Sequence, residues 1–225
     1  TRWDTFGLNN LKKGLIKSDQ VPKSENKWSE TYKPSPSFVS IHLGVTKDLI
    51  NKDFNCHHII VENWDELENE KGVIFISIPT LLDPSLAPEG KHIIHAFTPS
   101  SIEEWENLSR EDYLKKKQVY YSLLIEKISK IIPNLDQNID HKEIGTPRTH
   151  RKFLGRFEGS YGPIPNKKLL GLLPMPFNTT KIKNLYCVGD SCFPGQGLNA
   201  VAFSGYACAH KIGSKLNINS FNLPD

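Results

Sequence analysis

A chain of 225 residues with 38% hydrophobic and 24% charged side chains has enough apolar content for a packed core, although it leans polar. Its formal net charge of +3 is too small to indicate nucleic-acid binding without a clustered basic patch. No window is long and apolar enough to form a membrane-spanning helix and no secretory signal is visible, so a non-secreted chain is expected.

Thr1 stands first and Met175 is the single methionine, a pattern expected of a fragment or trimmed product. Cys56, Cys187, Cys192 and Cys208 show neither CxxC spacing nor a histidine in zinc-like register. They read as small buried or half-buried thiols of a reducing compartment.

Residues 1–37 are rich in Lys, Asn, Ser and Pro, which predicts loop and short helix, with Lys33 to Ser37 as a linker or turn. Phe38 to Val45 alternates as a strand does, and His58 to Val61 is a second candidate. Val73 to Ile78 is almost continuously apolar and predicts a strand covered on both faces, stopped by Pro79. A turn-rich crossing from Leu81 to Gly90 leads into a strand over Lys91 to Phe97. Strands this close in sequence predict an antiparallel sheet.

Ser109 with Asp112 three positions on predicts a capping box opening a long helix. Leu114, Tyr121, Leu124, Ile128 and Ile132 form its apolar face, and Pro133 ends it. Ile144 to Thr149 reads as a strand end entering a cap, with Thr149 as N-cap of a short basic helix through Phe153. Gly155 to Pro165 is irregular, and the apolar stretch Leu169 to Phe177 is broken by prolines. Asn184 to Val188 predicts a short buried strand, followed by a Gly189-Asp190 turn, a glycine-bearing loop and a small-residue helix over Val201 to Lys215. Residues 217–225 read as a frayed tail.

Candidate chemistry concentrates in this last element. Gly195-Gln196-Gly197-Leu198-Asn199-Ala200 satisfies the G-x-G-x-x-G/A pattern, but no second strand with an acidic residue follows, so it is no standalone dinucleotide site. The alternative is a helix N-terminus that meets a cofactor held elsewhere, with Asp190 at the strand end able to accept hydrogen bonds from a polyol. Arg148, His150, Arg151, Lys152 and Arg156 cluster as solvated charge or as contacts to cofactor phosphates or anionic lipid heads. His57 and His58 point to opposite faces of a strand and make no metal pair, so no metal is expected. No nucleophile–base–orienter set is defensible from spacing, and the catalytic residues stay unassigned.

The run Gly189 to Gly205 resembles the C-terminal signature of the FAD-dependent carotenoid isomerases, which act on prolycopene. Thr1 to Gly7, Ser77 to Gly90, Gly145 to Arg156, Tyr161 to Pro165 and Gly171 to Asn178 resemble internal segments of the same family. The resemblance extends to the phytoene desaturases and retinol saturases. It implies an α+β chain: a mostly antiparallel substrate-domain sheet with helices, plus the terminal strand and helix of an incomplete FAD-binding domain. The divisions implied are 1–150 as substrate-domain portion, 151–182 as crossover, 183–216 as the strand-turn-helix of the FAD-binding domain and 217–225 as tail.

The family's ADP-gripping Rossmann unit has no counterpart here. By resemblance, Gly189 and Asp190 approach the ribityl-pyrophosphate of FAD, and Gly195, Gln196, Gly197, Leu198, Asn199 and Ala200 face the isoalloxazine ring. The implied activity is conversion of poly-cis lycopene to all-trans lycopene with reduced FAD and no net redox change. The implied partners are a carotenoid, a membrane surface, and an N-terminal FAD-binding half or second chain. The implied location is cytoplasmic or plastid-type with peripheral membrane attachment. Two readings stay open beside it: a desaturase or saturase-type flavoprotein, and an inert fragment or split subunit. The chain alone is expected neither to hold FAD tightly nor to turn over.

Overall fold

The computed structural model describes Pro22, residues 32–51, 53–67, 71–165, Met175 and residues 177–218. The Thr1 to Gly7 segment, most of the apolar stretch from Leu169 to Phe177, and the tail beyond Ile218 lie outside the described residues. The chain divides into two compact units, one of Thr1–Ser35 with Ser160–Asp225, the other Pro36–Gly159.

The Pro36–Gly159 unit is built on one antiparallel sheet of β2 (Ser37–Thr46), β3 (His57–Val61), β4 (Val73–Ser77), β5 (Lys91–Ser100) and β6 (Ile139–Gly145). Its order is β3-β4-β5-β2-β6. The two ten-residue strands β2 and β5 pair along their full length, from Ser37 opposite Ser100 to Thr46 opposite Lys91. Side chains alternate across a strand, so this register sends Val39, Ile41, Leu43 and Val45 to the same face as Ile94 and Ala96. That face is the core, and β5 runs three residues past the expected Phe97 because Thr98 and Ser100 continue its buried alternation.

Helix α1 (Arg110–Ser129) covers the core face. The Ser109 hydroxyl accepts from the Asp112 amide at 3.1 Å and donates to its carboxylate at 2.7 Å. The buried stripe is Tyr120, Leu124, Ile125 and Ile128, rotated from the expected one: Leu114 is 48% exposed and Tyr121 only half-buried. Tyr120 displaces them because its ring packs on Trp105 at 5.3 Å and its hydroxyl lies 3.3 Å from Ser100 Oγ. One further turn carries Ile132 into the core before Pro133.

Helix α2 (Pro147–Leu154) begins one turn earlier than expected, and its N-cap is Thr146 rather than Thr149. Thr149 is the third helical residue of a reciprocal capping box, its hydroxyl accepting from the Thr146 amide at 3.1 Å. Pro147 at the first helical position makes this start favourable, since no N–H is lost there. The expected covering of β4 on both faces is half met: Ile74 and Ile76 are core, while Phe75 lies half-buried on the other face.

In the other unit β1 (Tyr32–Pro34) pairs antiparallel with β7 (Pro163–Pro165). The expected linker Lys33 to Ser37 is thus a break of Ser35 and Pro36 between two strands. The expected strand at 184–188 reduces to a single antiparallel bridge, Thr179 with Tyr186. Its backbone bonds go instead to Asn178, and Asn184 adopts a left-handed φ of 62° that cuts the strand short. Helix α3 (Leu198–Lys215) starts three residues before the expected Val201.

Candidate functional site

Of the eight residues singled out for cofactor contact, Gly189, Asp190, Gly195, Gln196 and Gly197 lie on the loop entering α3, and Leu198, Asn199 and Ala200 form the first turn of the helix. Gly189, Gly195 and Gly197 have φ values of 114°, 121° and 99°, a region that L side chains rarely adopt. A Cβ built at Gly189 or Gly197 meets nothing within 4 Å. The backbone there is open to close approach by a ligand. Gly197 is the N-cap of α3, and no side chain among the described residues caps the helix, which suits its first amides to an outside acceptor. Leu198 (86% exposed) and Asn199 stand at the same surface, and Ala200 is half-buried.

Asp190 sits at the turn, half-buried, within 3.3 Å of the Ser191 hydroxyl that donates to it. Gln196 turns its amide to donate to the Tyr161 carbonyl at 2.6 Å. The loop is therefore fastened to the Tyr161–Gly162 segment, and a Cβ at Gly162 would meet the Asp190 carbonyl at 3.2 Å. These residues make an open, donor-rich cradle suited to an anion or an electron-rich ring.

Sequence reasoning misses the residue that holds this cradle. Asn178 is buried, its backbone carbonyl accepts from the Cys187 amide at 2.8 Å, and its side-chain amide lies 2.8 Å from the Cys187 carbonyl. The same amide lies 3.0 Å from the Ser204 hydroxyl, which in turn accepts from the Gly189 amide at 3.2 Å. One asparagine thus ties the end of the bridge segment, the turn and the middle of α3 together. Its signal in the sequence is a polar residue closing the apolar, proline-broken stretch.

The second candidate surface is the sheet face opposite the core, in the Pro36–Gly159 unit. His42 stacks on its cross-strand neighbour His95 at 4.4 Å and 11°. Phe75 stacks on its partner Phe97 at 4.9 Å, and Phe38 meets Phe97 edge-on at 5.6 Å. His150 of α2 lies 4.1 Å from the Phe38 ring, and its buried Nε2 has no hydrogen-bond partner among the described residues. Burial, then the proximity of His42, pushes the His95 pKa down to about 4. Burial likewise holds His150 below the ordinary histidine range, against a hydrogen bond to the Phe38 backbone that pulls the other way. The face is rich in aromatic rings, with the exposed Glu143 of β6 opposite His42 at its edge.

The fold divides the basic cluster, sending His150 to the sheet face and keeping Arg148, Arg151 and Lys152 together around one cavity. Arg151 pairs with Glu106 at 2.6 Å, and Arg148 lies over the Tyr113 ring at 4.7 Å. His57 lies 3.0 Å from the Ser77 hydroxyl, whereas His58 turns to the Asn55 carbonyl. Among the described residues no three His, Cys, Asp or Glu side chains are placed to hold a metal ion. A cavity of about 860 Å³ lies at the turn-rich crossing, walled by residues that include Leu81, Pro84, Pro88 and the hydrogen-bonded pair Thr80 and His92.

No protein-family model matches the chain. It is 53% identical over 220 residues to "Prolycopene isomerase, chloroplastic" of Daucus carota, a match covering 97% of this chain and 35% of that protein. It is 51% identical to the protein of the same name from Arabidopsis thaliana, covering 97% and 36%. A more distant relative is "4,4'-diapolycopen-4-al dehydrogenase" of Metabacillus indicus, 27% identical over 88% of this chain and 40% of that protein. The chain spans about a third of the length of the prolycopene isomerases it matches.

Proposed function

We propose that this chain, a relative of the prolycopene isomerases over almost its whole length, supplies the carotenoid-facing sheet and half of the flavin site of a carotenoid cis–trans isomerase. The observation that carries the reading is the open glycine cradle at the start of α3, in a chain with this relationship. The cradle fits FAD: uncapped amides and a helix N-terminus favour negative charge on an electron-rich ring, and Asp190 offers a carboxylate to a polyol. Gly189 and Asp190 take the ribityl side, and the backbone from Gly195 to Ala200 meets the ring system.

Isomerisation about a conjugated double bond needs a transient loss of bond order without net oxidation or reduction. Reduced flavin, when bound, supplies electron density for that. The chain's own residues hold the polyene. Phe38, Phe75 and Phe97 offer flat aromatic surface to a conjugated chain, and His95 and His150, held neutral by burial, add uncharged surface. The Pro36–Gly159 unit serves as substrate portion, and the unit containing α3 as the flavin-side portion. The two named prolycopene isomerases are chloroplastic, which supports a plastid-type compartment. A substrate this apolar resides in lipid, which supports peripheral membrane attachment.

The test is product analysis with the protein at its natural length, incubated anaerobically with reduced FAD and poly-cis lycopene. The expected product has unchanged mass and the chromatographic position of the all-trans isomer. Loss of two hydrogens per step would replace this reading with a desaturase.

A further inference from the structure

The cations of α2 that do not reach the sheet face form a second feature, with no role in the chemistry above. A cavity of about 450 Å³ is walled by Arg110, Arg148, Arg151 and Lys152, with Tyr113, Thr149 and Phe153, and among the described residues no carboxylate contributes to its wall. Of the nearby acids, Glu106 holds Arg151 at 2.6 Å, Glu111 pairs with Lys115 at 2.8 Å, and Asp112 accepts from Ser109, while Glu158 lies near Glu103, Glu106 and Arg151. Arg148 and Lys152 stand four positions apart and so share one side of the helix. Arg148 is braced over Tyr113.

Beside these cations two large apolar side chains meet solvent, Phe153 at 73% and Leu154 at 63% exposure. Gly155, in left-handed conformation at φ 62°, ends the helix directly after them. A soluble anion would make no use of an exposed Phe-Leu pair. A bilayer interface uses both parts, since basic side chains meet lipid phosphates while adjacent apolar ones enter the acyl boundary.

We propose that α2, together with Arg110 at the start of α1, is a docking surface for an anionic lipid membrane. Arg148, Lys152 and Arg110 take headgroup phosphate, and Phe153 and Leu154 enter the interface. The proposal rests on the peripheral-membrane reading above and names the surface that carries it.

Vesicle co-sedimentation of the natural-length protein tests it, using phosphatidylcholine vesicles with and without about one third phosphatidylglycerol. The variants are Arg148→Gln with Lys152→Gln, and Phe153→Ser with Leu154→Ser, their folding checked by circular dichroism. Wild type is expected to bind the anionic vesicles preferentially, with each double variant weakening partitioning on the order of tenfold. Variants that bind like wild type would overturn this surface and leave membrane attachment standing. Wild type that binds neither vesicle would overturn both. Release by millimolar inorganic phosphate without any effect of the Phe153 and Leu154 changes would show a free-phosphate site instead.

Discussion

His95 shows how one residue's environment sets its charge. It faces His42 ring to ring, so two protons on the pair would repel across 4.4 Å, and burial already disfavours the first. The folded chain keeps it neutral down to about pH 4, whereas an unconstrained histidine takes its proton near 6.5. The contribution is therefore fully present above pH 6.5 and is lost as pH falls toward 4. Discounted for the exposed part of the ring, it amounts to about 1–2 kcal/mol. Urea unfolding at about pH 7 and about pH 5 should show wild type losing more stability than His95→Asn, by on the order of 1 kcal/mol. Equal losses would mean that His95 is not held neutral by the fold.

At the scale of elements, α2 depends on its cap. Thr146 is fully buried, its hydroxyl accepts from the Thr149 amide at 3.4 Å, and the Tyr113 hydroxyl lies 3.0 Å away. Thr146→Ala removes the cap acceptor and one partner of a half-buried tyrosine, and should cost about 1–2 kcal/mol. Urea denaturation reads this loss, and an unchanged midpoint would contradict the cap assignment. The strands β2, β4 and β5 and helix α1 are legible in the sequence because period-two and period-3.6 patterns follow directly from which side chains are buried. The start of α2 is harder to read because Thr146 and Thr149 are both good caps, and only Pro147 as a first helical residue decides between them. The expected strand at 184–188 fails because an apolar run does not say whether a neighbour strand exists. The sheet's second face stays hidden because Phe38, His42, His95 and Phe97 alternate with core residues as solvent-facing side chains do. Only the register of β2 with β5 brings them together. In contrast, the turns of the α3 loop are readable from its glycines, since positive φ is what Gly189, Gly195 and Gly197 adopt.

Across the whole molecule, α3 carries more apolar surface than its own unit buries. Leu198, Val201, Phe203 and Tyr206 are 86%, 37%, 50% and 49% exposed, while Ser204, Cys208 and Gly213 are the helix residues buried. Exposed apolar side chains gathered in this way mark an interaction surface. This agrees with a chain that supplies one side of a cofactor site. Contact between flavin and the start of α3 is the step on which the functional reading turns, and Asn199→Asp isolates it. Asn199 is exposed, and a carboxylate in the first helical turn favours the helix dipole, so folding should be unharmed. The same carboxylate would repel negative charge on a reduced ring placed there. The measurement is flavin absorbance retained after desalting by the natural-length protein and by this variant, under reducing conditions. Wild type should retain the flavin, and the variant should hold it severalfold more weakly, a difference on the order of 1 kcal/mol. Equal retention by both, or none by wild type, would contradict a flavin contact at α3.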